Sequence, residues 1–412
     1  MLDINYIRQN IEKVQTSIKA RKSEVSLDDL LKLDDERRSL ILKVDSLRSK
    51  KNTAAKAKDI QAGTKVKAEL EALEKQLTGI EEHFQDLMLR LPNVLSDEVP
   101  VGDEHQNKVI RQNGQTPKFD FTPKDHLELG RSLGIIDTER GVKVSGYRGY
   151  FLTGQGAMLQ LAVLNFALDQ LVEKGYELII PPVIDRKFAL EGSGQFPWHQ
   201  EETYKIEEEE MYLAGTSEVP VMAMYSDEIL SEKDLPKKFV ALSPCFRTEI
   251  GSYGKDTKGL YRVHEFYKVE QIVLAPASLE QTTDLFSEMQ QNAEEIVQAL
   301  GLPYQVVVLS SEDMGQKSYL TYDLETWIPA RNSYGETHSN SILLDFQTRR
   351  LKIRYKDKDG TIKYAYSLNN TAIASPRILI PLLENFQLED GSVKIPEVLV
   401  PYTNFSQIKP KS

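Results

Sequence analysis

One stretch of the sequence decides how the C-terminal part of the chain folds: PCFRTEIGSYGKDTKGLYRVHEF, residues 244–266. Apolar and polar residues alternate on both sides of its loop, in KKFVALSPCFRTEI and in YRVHEFYKVEQIVLA. A period of two is typical of β-strands, and two such runs flanking a Gly- and Lys-rich loop predict an antiparallel hairpin rather than a βαβ unit.

The charged and aromatic residues of this hairpin form a candidate nucleotide site. Arg247 carries a planar fork of donors that suits a phosphate group. Glu249, two residues later on the same strand face, could accept a hydrogen bond from an exocyclic amine. Phe266, across the hairpin, offers a stacking surface for a base. The cations suited to the outer phosphates are Arg262, Lys255 and Lys258.

Groups further along the chain fit the same chemistry. Arg377 precedes the apolar helix ILIPLLENF, while Glu336 and Ser339 offer the hard oxygen ligands that Mg²⁺ prefers. Taken singly, each residue has a plainer explanation, since a basic loop can be a solvated turn and Arg377 an ordinary helix N-terminal residue. Together they predict a nucleotide site without a Gly-rich loop. We expect no zinc site, because the six histidines are scattered and Cys245 is the single cysteine.

Charge is unevenly distributed along the 412 residues. The formal net charge is −11, yet residues 1–100 carry 18 basic and 18 acidic side chains, so the whole acidic excess lies beyond them. We expect an N-terminal domain over residues 1–103 and a second domain over residues 104–412. The absence of any run of 18 apolar residues predicts no membrane span, and the single cysteine fits a reducing, cytoplasmic location.

Two heptad patterns predict a helical hairpin over about residues 27–91. Their apolar residues are spaced by three and four, which makes a narrow seam. Ala62-Gly63-Thr64 is the expected turn, so the helices should run antiparallel for roughly 45–50 Å before Pro92 ends the second. The first seam contains Leu30, Leu33, Leu40, Val44, Leu47 and Ala54, interrupted by Arg37 and Lys51. The second contains Val66, Leu70, Leu73, Leu77, Ile80, Phe84, Leu87 and Leu91.

The expected tip of this hairpin is strongly basic. Residues 48–67 hold seven cations against one acid, Asp59, which favours contact with a phosphate backbone. The alternative is a solvated hairpin used for oligomerisation, and the pattern alone leaves both open. The seven cations are Arg48, Lys50, Lys51, Lys56, Lys58, Lys65 and Lys67.

Two further elements are expected before the sheet hairpin. The segment QLAVLNFALDQLVEK, residues 160–174, has apolar residues at helical spacing and is closed by Gly175. After it, YELIIPPVI reads as a buried strand that ends at Pro181-Pro182.

These motifs resemble the class II aminoacyl-tRNA synthetases, and among them the zinc-free seryl-tRNA synthetases, over essentially the whole chain. Motif 1 matches GYELIIPP with its hallmark Pro182, and motif 2 matches FRTE (246–249) through to HEF (264–266). Motif 3 matches LNNTAIASPRILIPLLENFQ, residues 368–387. The signatures of the seryl group match GTSE (215–218), KVE (268–270), YDLETWIP (322–329), DFQTRR (345–350) and IPEVLVPY (395–402).

The resemblance implies an α+β fold, in which an antiparallel β-sheet is flanked by helices and preceded by the N-terminal antiparallel two-helix coiled-coil arm. It also implies a role for each site residue. Arg247 would contact the α-phosphate and the substrate carboxylate, Glu249 would contact the adenine amine, and Phe266 and Arg377 would enclose the adenine ring. Of these, Arg247, Glu249 and Arg377 form the implied catalytic set. The other implied ATP-binding residues are Thr248, Arg262 at the γ-phosphate, Val263, Glu336, Thr337, His338 and Ser339, with Glu336 and Ser339 holding Mg²⁺. The implied serine-binding residues are Thr216, Ser217, Glu218, Arg247, Glu270 and Thr371.

The implied activity is a two-step ligation of L-serine to tRNA. Serine and ATP would form seryl-adenylate, and serine would then pass to the 3′ end of tRNA(Ser), with tRNA(Sec) as a further candidate. The basic arm would bind tRNA, and a homodimer would form around Pro182. The alternatives are an amino-acid-activating homologue with a non-tRNA acceptor, a non-catalytic tRNA-binding homologue, and a structural coiled-coil protein.

Two departures from the family pattern affect these expectations. Motif 3 has Asn370, Ala372 and Pro376 where glycines are usual, and these side chains are expected to narrow the space beside ATP. The usual His-Gln-Phe is replaced by His264-Glu265-Phe266. Neither change removes a charged group that the chemistry needs.

Overall fold

The structure is a computed structural model that describes residues 1–207, 210–250 and 259–410; Lys255 and Lys258 lie outside these ranges. The helices are α1 (Ile4–Gln9), α2 (Ile11–Ala20), α3 (Leu27–Ala57), α4 (Ile60–Arg90), α5 (His126–Leu133), α6 (Thr138–Ser145), α7 (Gln155–Glu173), α8 (Lys187–Gly192), α9 (Glu218–Ala223), α10 (Leu279–Ala299), α11 (Phe346–Leu351), α12 (Leu379–Asn385) and α13 (Val400–Thr403).

The strands are β1 (Lys108–Asn113), β2 (Ile136–Asp137), β3 (Phe151–Leu152), β4 (Glu177–Ile179), β5 (Ile184–Arg186), β6 (Lys205–Ile206), β7 (Met211–Leu213), β8 (Ile229–Ser231), β9 (Lys237–Phe246), β10 (Glu265–Ala275), β11 (Tyr304–Val308), β12 (Leu320–Ile328), β13 (Ser333–Leu344), β14 (Arg354–Lys356), β15 (Ile362–Tyr364), β16 (Tyr366–Ser375), β17 (Val393–Lys394) and β18 (Gln407–Ile408). The chain divides into two compact units between Val94 and Leu95, whereas the sequence had suggested a boundary after residue 103.

The first unit is built around two long helices. The helices α3 and α4 each contain 31 residues, which corresponds to about 45 Å of helix and confirms the long helical arm. The predicted turn at Ala62-Gly63-Thr64 is wrong. The helix α3 ends at Lys58, which has a left-handed φ of 55°, and the carboxylate of Asp59 accepts a 3.0 Å hydrogen bond from the Ala62 N–H to begin α4. These two caps outweigh the weak helix preference of one glycine.

The predicted seam residues of the two helices pack against each other. The buried cluster contains Val44, Leu47 and Leu70, with Val66, Leu73 and Leu77 packed against it. Arg37, which interrupts the apolar pattern, lies with its guanidinium over the ring of Phe84, 4.6 Å from the ring centroid. A long arginine can cover an aromatic ring in this way, so the seam continues past the interruption.

The second unit is organised around one large sheet. Among the described residues, eight strands follow the order β1-β11-β12-β13-β16-β10-β9-β4. Neighbouring strands are antiparallel except for β4, which runs parallel to β9. Together with the flanking helices, this sheet confirms the predicted α+β class.

The two faces of this sheet have different neighbours. The helix α10 packs against β13 and β16. Amide side chains on that face donate to carbonyls of α10: Asn340 to Phe286, and Gln271 and Asn370 to Met289. Because successive residues of a strand point to opposite faces, the alternate residues of the same strands turn away from α10 toward the cavity described below.

The predicted hairpin is confirmed. The strands β9 and β10 are antiparallel, with Phe246 opposite Glu265 at the open end. The expectation that Glu249 lies on a strand face with Arg247 is wrong, because β9 ends at Phe246. Beyond it the chain leaves the sheet, where the Thr248 N–H donates to the Glu202 carbonyl at 2.9 Å.

The segment YELIIPPVI forms an edge strand rather than a buried one. The strand β4 covers only Glu177–Ile179, and the apolar side chains of Leu178 and Ile180 are 48% and 76% exposed. The preceding helix is confirmed and starts earlier than predicted, since α7 spans Gln155–Glu173 and Gly175 follows it with a φ of 85°. None of the helices described for this chain is long and apolar enough to cross a membrane.

Candidate active site

The face of the sheet opposite α10 carries a cavity of about 400 Å³. Its floor consists of side chains from β12, β13, β16 and β10, and the chain around the end of β9 and after the hairpin loop forms a wall. The cavity brings together most of the residues singled out from the sequence. These are Thr216, Glu218, Arg247, Glu249, Arg262, Val263, Phe266, Glu270, Glu336, Thr337, Ser339, Thr371 and Arg377.

Arg247 lies where β9 leaves the sheet. Its backbone N–H donates to the His264 carbonyl at 2.9 Å, and its Nε donates to the Gly215 carbonyl at 3.3 Å. Its guanidinium carbon is 5.3 Å from the centroid of the Phe266 ring. These contacts orient the guanidinium of Arg247 where it lines the cavity, an arrangement that suits an anionic ligand.

Glu249 lies between two arginines. Its Oε2 is 3.4 Å from Nη1 of Arg148 and 3.5 Å from Nη1 of Arg262, and the side chain is 10% exposed. The φ of 54° at Glu249 is left-handed, which a non-glycine residue adopts when its surroundings hold it there. The two guanidinium groups therefore fix this carboxylate at the cavity wall.

Arg377 connects the start of α12 to the segment that follows the hairpin loop. Its Nε donates to the Tyr261 carbonyl at 3.1 Å, and its guanidinium carbon is 4.5 Å from the centroid of the Tyr261 ring. Its Nη1 is also 3.2 Å from Oε1 of Glu336. Arg377 thus holds β13 and the loop segment in one arrangement beside the cavity.

Oxygen-bearing side chains meet where β12 and β13 cross the cavity floor. Glu336 and Ser339 line this part together with Asp323, which pairs with Ser339 across the two strands. Burial, reinforced by the charge of Glu336, raises the pKa of Asp323 well above its usual value. Its Oδ1 is buried and has no hydrogen-bond partner within the described ranges.

This donor set fits a Mg²⁺ ion. Mg²⁺ takes carboxylate and hydroxyl oxygens, usually only one or two carboxylates, and keeps several waters. Across residues 1–207, 210–250 and 259–410, no group of three or more His, Cys, Asp and Glu side chains is arranged to hold a metal by itself.

Another part of the cavity is lined by hydroxyl groups and one buried ion pair. The Thr371 hydroxyl donates to Oε2 of Glu270 at 3.1 Å, and Nζ of Lys268 is 2.8 Å from the same oxygen. The Lys268 ammonium also donates to the Thr216 hydroxyl at 2.7 Å. Burial raises the pKa of Glu270, and the ammonium of Lys268 opposes this shift. Such a cluster suits a small ligand that carries both charge and a hydroxyl group.

Glu218 is held by three donors at the edge of this cluster. They are Nζ of Lys317 at 2.6 Å, Nε2 of Gln347 at 2.7 Å and Nδ2 of Asn369 at 2.7 Å. Three donors around a buried carboxylate fix its orientation, so Glu218 is a rigid part of the wall.

Three of the predicted site residues have side chains outside the cavity lining. The Thr248 hydroxyl donates to the Glu201 carbonyl at 2.8 Å, and Ser217 is fully buried between two lining residues. His338 is 2% exposed, and burial lowers its pKa to about 3. The reason is geometric, because neighbouring residues of an extended or capped segment point in different directions.

The comparisons with known proteins agree over the whole chain. Residues 1–95 match the model of the seryl-tRNA synthetase N-terminal domain, and residues 202–386 match the tRNA synthetase class II core domain (G, H, P, S and T). The serine–tRNA ligase of Deinococcus radiodurans is 44% identical over 98% of this chain and 97% of its own length. That of Rubrobacter xylanophilus is 41% identical over 100% of this chain and 99% of its own length. The chain belongs to the seryl-tRNA synthetase family.

Solved structures give the same result. The crystal structure of seryl-tRNA synthetase from Pyrococcus horikoshii complexed with ATP has a TM-score of 0.93 and 38% identity, and covers 100% of both chains. The cytoplasmic serine–tRNA ligase of Naegleria fowleri in complex with AMP has a TM-score of 0.91 and 34% identity over 100% of this chain and 99% of its own.

The unusual motif 3 residues of this seryl-tRNA synthetase family member do not all face the cavity. Asn370 is fully buried and donates to the Met289 carbonyl at 2.7 Å, on the α10 side of the sheet. Ala372 falls at an irregularity in the pairing of β16 with Val269 and Glu270 of β10, and Pro376 lines the cavity. The expected narrowing by Asn370 and Ala372 is therefore wrong, since these two side chains lie outside the cavity lining.

The structure also adds cavity residues that sequence reasoning missed. Lys268 and Asn369 lie two residues before Glu270 and Thr371 on the same strands, so strand alternation could have placed them. Asp323 could likewise have been found from its place in YDLETWIP. No local pattern marks Lys317, which lies between β11 and β12 and reaches Glu218 across 99 residues of sequence.

The seven basic residues predicted for the tip of the arm lie around the junction of α3 and α4. All seven are exposed. Arg48 is 2.9 Å from Glu74 and Lys67 is 3.7 Å from Glu71, and such exposed ion pairs bind weakly. The tip therefore presents a basic surface, as the sequence predicted for this region.

Proposed function

We propose that the chain is a serine–tRNA ligase that forms seryl-adenylate from L-serine and ATP and transfers serine to tRNA(Ser). One observation supports this most strongly: a single cavity in a member of this family holds two kinds of side chain. Arg247 and Arg262 form a cluster suited to phosphate, and Thr216, Glu270 and Thr371 form a hydroxyl-binding cluster. ATP–pyrophosphate exchange measured with each of the twenty amino acids tests the proposal. Serine should support exchange, and exchange with another amino acid alone would contradict it.

The residues of the cavity suit the activation step. A serine carboxylate oxygen attacks the α-phosphorus of ATP in line, and the bond to the bridging oxygen of the leaving pyrophosphate breaks. Arg247 is placed to stabilise the charge that develops on the α-phosphate, and Arg262 to bind the γ-phosphate. Phe266 and Arg377 would enclose the adenine, and Glu249 would accept from its amine. No side chain needs to form a covalent intermediate, because orientation and charge neutralisation carry the step.

The serine-binding proposal rests on the cluster around Glu270. Thr216, Glu270 and Thr371 offer hydroxyl and carboxylate groups at hydrogen-bond distance from one another, and these can bind the serine hydroxyl and ammonium. Glu218 supports this wall. In the second step the terminal ribose hydroxyl of tRNA attacks the acyl carbon, AMP leaves, and the hydroxyl proton is released.

Mg²⁺ is part of the proposal. Glu336 and Ser339 would hold it, with the unsatisfied oxygen of Asp323 close by. When bound, the ion would neutralise phosphate charge. Loss of exchange in EDTA and its recovery with added Mg²⁺ would support this assignment.

Two further assignments concern binding partners. The exposed basic tip supports binding of the tRNA backbone by the arm, with residues from Leu95 onward acting as the catalytic domain. The exposed apolar residues Leu178, in β4, and Ile180, directly after it, support a homodimer formed around Pro182. A cytoplasmic location also remains a proposal, based on the single cysteine.

The alternatives differ in measurable ways. An amino-acid-activating homologue with another acceptor would show exchange but would not charge tRNA(Ser). A non-catalytic tRNA-binding homologue would bind tRNA without exchange, yet Arg247, Glu249 and Arg377 are all present. Aminoacylation assays with tRNA(Ser) and tRNA(Sec) would also decide whether the second tRNA is a substrate.

A further inference from the structure

A buried histidine links α5 to α12. His126, the first residue of α5, is 6% exposed, and its Nδ1 is 2.9 Å from Oε1 of Glu384 in α12. The same oxygen accepts the His126 backbone N–H at 3.0 Å. The other Glu384 oxygen accepts the backbone N–H of Ala330 at 3.0 Å, and Glu384 is 1% exposed. With both oxygens receiving hydrogen bonds, this carboxylate is held in one place.

On its other edge the same ring accepts a hydrogen bond from the segment after the hairpin loop. The backbone N–H of Leu260 donates to Nε2 of His126 at 3.2 Å. Because a backbone N–H can only donate, Nε2 carries no proton, so the neutral ring carries its proton on Nδ1 and donates it to Glu384. Gly259 allows this close approach, since a Cβ there would lie 2.2 Å from Nε2.

The two residues that follow Leu260 contact side chains in the part of the cavity that we propose binds ATP. The Tyr261 carbonyl accepts from Arg377 at 3.1 Å, and the Tyr261 hydroxyl donates to the Glu336 carbonyl at 3.0 Å. The next residue, Arg262, lies 3.5 Å from Glu249. Leu260 is fully buried, so its amide is a fixed point from which these side chains are placed.

We propose that His126, oriented by Glu384, is a positioning residue for ATP binding. Its acceptor atom fixes the Leu260 amide, and through it the positions of Tyr261 and Arg262. Neither His126 nor Glu384 is part of the described cavity lining, so neither acts by touching the substrate. The inference rests on the proposed function, because ATP is the ligand whose binding it affects.

Two substitutions of His126 test the hydrogen bond at Nε2 separately from the hydrogen bond at Nδ1. His126→Gln keeps an amide oxygen near the Nε2 position, able to accept from Leu260. His126→Asn keeps an amide near the Nδ1 position, able to donate to Glu384, but has no atom to accept from Leu260. We expect His126→Asn to raise KM for ATP in serine-dependent exchange at least about tenfold, with KM for serine nearly unchanged, and His126→Gln to stay within about threefold of the parent.

A matched pair of glycine variants tests the same contact from the loop side. Gly259→Ala places a methyl group against Nε2 of His126 at a φ of 88°, whereas Gly360→Ala, in the turn between β14 and β15, imposes similar backbone strain at a φ of 81° with only an ordinary 3.5 Å contact to Cε of Lys356. We expect Gly259→Ala to raise KM for ATP and Gly360→Ala to leave it unchanged. This pair decides the question if a His126 variant fails to fold.

Amide hydrogen exchange of the peptide around Leu260 gives a readout that does not depend on activity. It should accelerate in His126→Asn and in Gly259→Ala, but not in His126→Gln. A folded His126→Asn protein with the parent KM for ATP would overturn the inference, and so would equal defects in the Asn and Gln variants. If the parent itself shows no serine-dependent exchange, the proposed function fails instead, and the inference fails with it.

Discussion

Arg247 is the residue whose surroundings most closely match its proposed task. Its Nε donates to the Gly215 carbonyl and its guanidinium lies against the Phe266 ring, so the charge is oriented before a substrate arrives. Preorganised charge of this kind contributes several kcal/mol to a transition state.

We therefore expect Arg247→Ala to abolish serine-dependent ATP–pyrophosphate exchange while the protein remains folded. Circular dichroism and thermal unfolding would check the fold. Arg140→Ala, at an arginine whose side chain is 79% exposed, is the matched control and should retain exchange. Exchange by Arg247→Ala within about threefold of the parent would show that the phosphate site lies elsewhere.

The hydroxyl-binding cluster predicts how the enzyme discriminates among amino acids. A site that hydrogen-bonds a hydroxyl leaves buried polar groups unpaired when the ligand lacks it, which costs about four to five orders of magnitude in kcat/KM. Threonine keeps the hydroxyl and differs from serine by one methyl group. We expect alanine to be rejected far more strongly than threonine in the exchange assay.

A substitution at Thr371 tests whether the cluster itself provides this discrimination. Thr371→Val removes one hydroxyl of the cluster and should reduce the ratio of serine to alanine activity, whereas Thr283→Val on the exposed side of α10 should not. If alanine and serine give similar kcat/KM with the parent, Glu270 and Thr371 do not form the side-chain pocket.

The sequence predicts which residues belong to the site better than it predicts the direction in which each side chain points. Residue type and family resemblance placed Arg247, Glu249 and Arg377 in one site, because charged groups at fixed motif positions can be recognised in a sequence. Side-chain direction is not encoded in the same way. His338 points away from the cavity next to a register shift in β13, and such irregularities arise from packing that no single segment specifies.

At the scale of helices and strands, periodicity predicted whether a segment is a helix or a strand. It was less successful in predicting where each element ends and how exposed it is. The hairpin of β9 and β10 follows from strict alternation. The turn of the arm was misplaced because Gly63 seemed the natural break, while the caps at Lys58 and Asp59 decide it. The apolar segment around β4 was expected to be buried, but burial depends on what covers it, which the segment itself does not specify.

Two exposed apolar residues, one in β4 and one directly after it, carry a prediction about assembly. Leu178 and Ile180 are 48% and 76% exposed, and apolar groups exposed side by side mark an interaction surface. We expect a homodimer at micromolar concentration. The variant Ile180→Asp should give a monomer by light scattering, because a charge would have to be buried in the interface.

Ile362→Asp is the matched control, since Ile362 is 53% exposed on β15, in a three-stranded sheet separate from that of β4. It should remain dimeric. A parent protein that scatters as a single chain of 46.9 kDa would contradict the assignment of this surface.

At the scale of the whole molecule, the two units differ in net charge. Residues 1–100 are neutral overall and gather basic residues at the arm tip, while the rest of the chain carries the excess of −11. An acidic catalytic unit repels a polyanion, so the tip should supply much of the attraction for tRNA. Shortening the arm removes most of this basic tip and leaves the second unit intact.

The structure shows where the arm can be shortened. Near its base, Asp34 is fully buried and pairs with Arg8 at 2.7 Å and Arg37 at 2.9 Å, so removing the whole arm would take the buried carboxylate away from Arg8. Replacing residues 49–72 by a short Gly/Ser linker keeps this base. It also keeps the pair of Arg48 with Glu74 as the new end of the hairpin, while removing six of the seven basic tip residues.

This shortened protein should keep the parent kcat and KM for serine and ATP in the exchange assay, because the proposed adenylate site lies in the other unit. KM for tRNA should rise at least about tenfold, and each lost phosphate contact should lower the slope of log K against log salt by roughly 0.7–0.9. A full-length control with Lys50, Lys51, Lys56, Lys58, Lys65 and Lys67 changed to Gln separates charge from length. Equal losses in the two proteins would show that the lysines bind the tRNA backbone, whereas a loss confined to the shortened protein would assign recognition to the shape of the arm. If the shortened protein charges tRNA with the parent KM and the parent salt dependence, the hairpin does not bind tRNA, and oligomerisation becomes the better explanation of its basic tip.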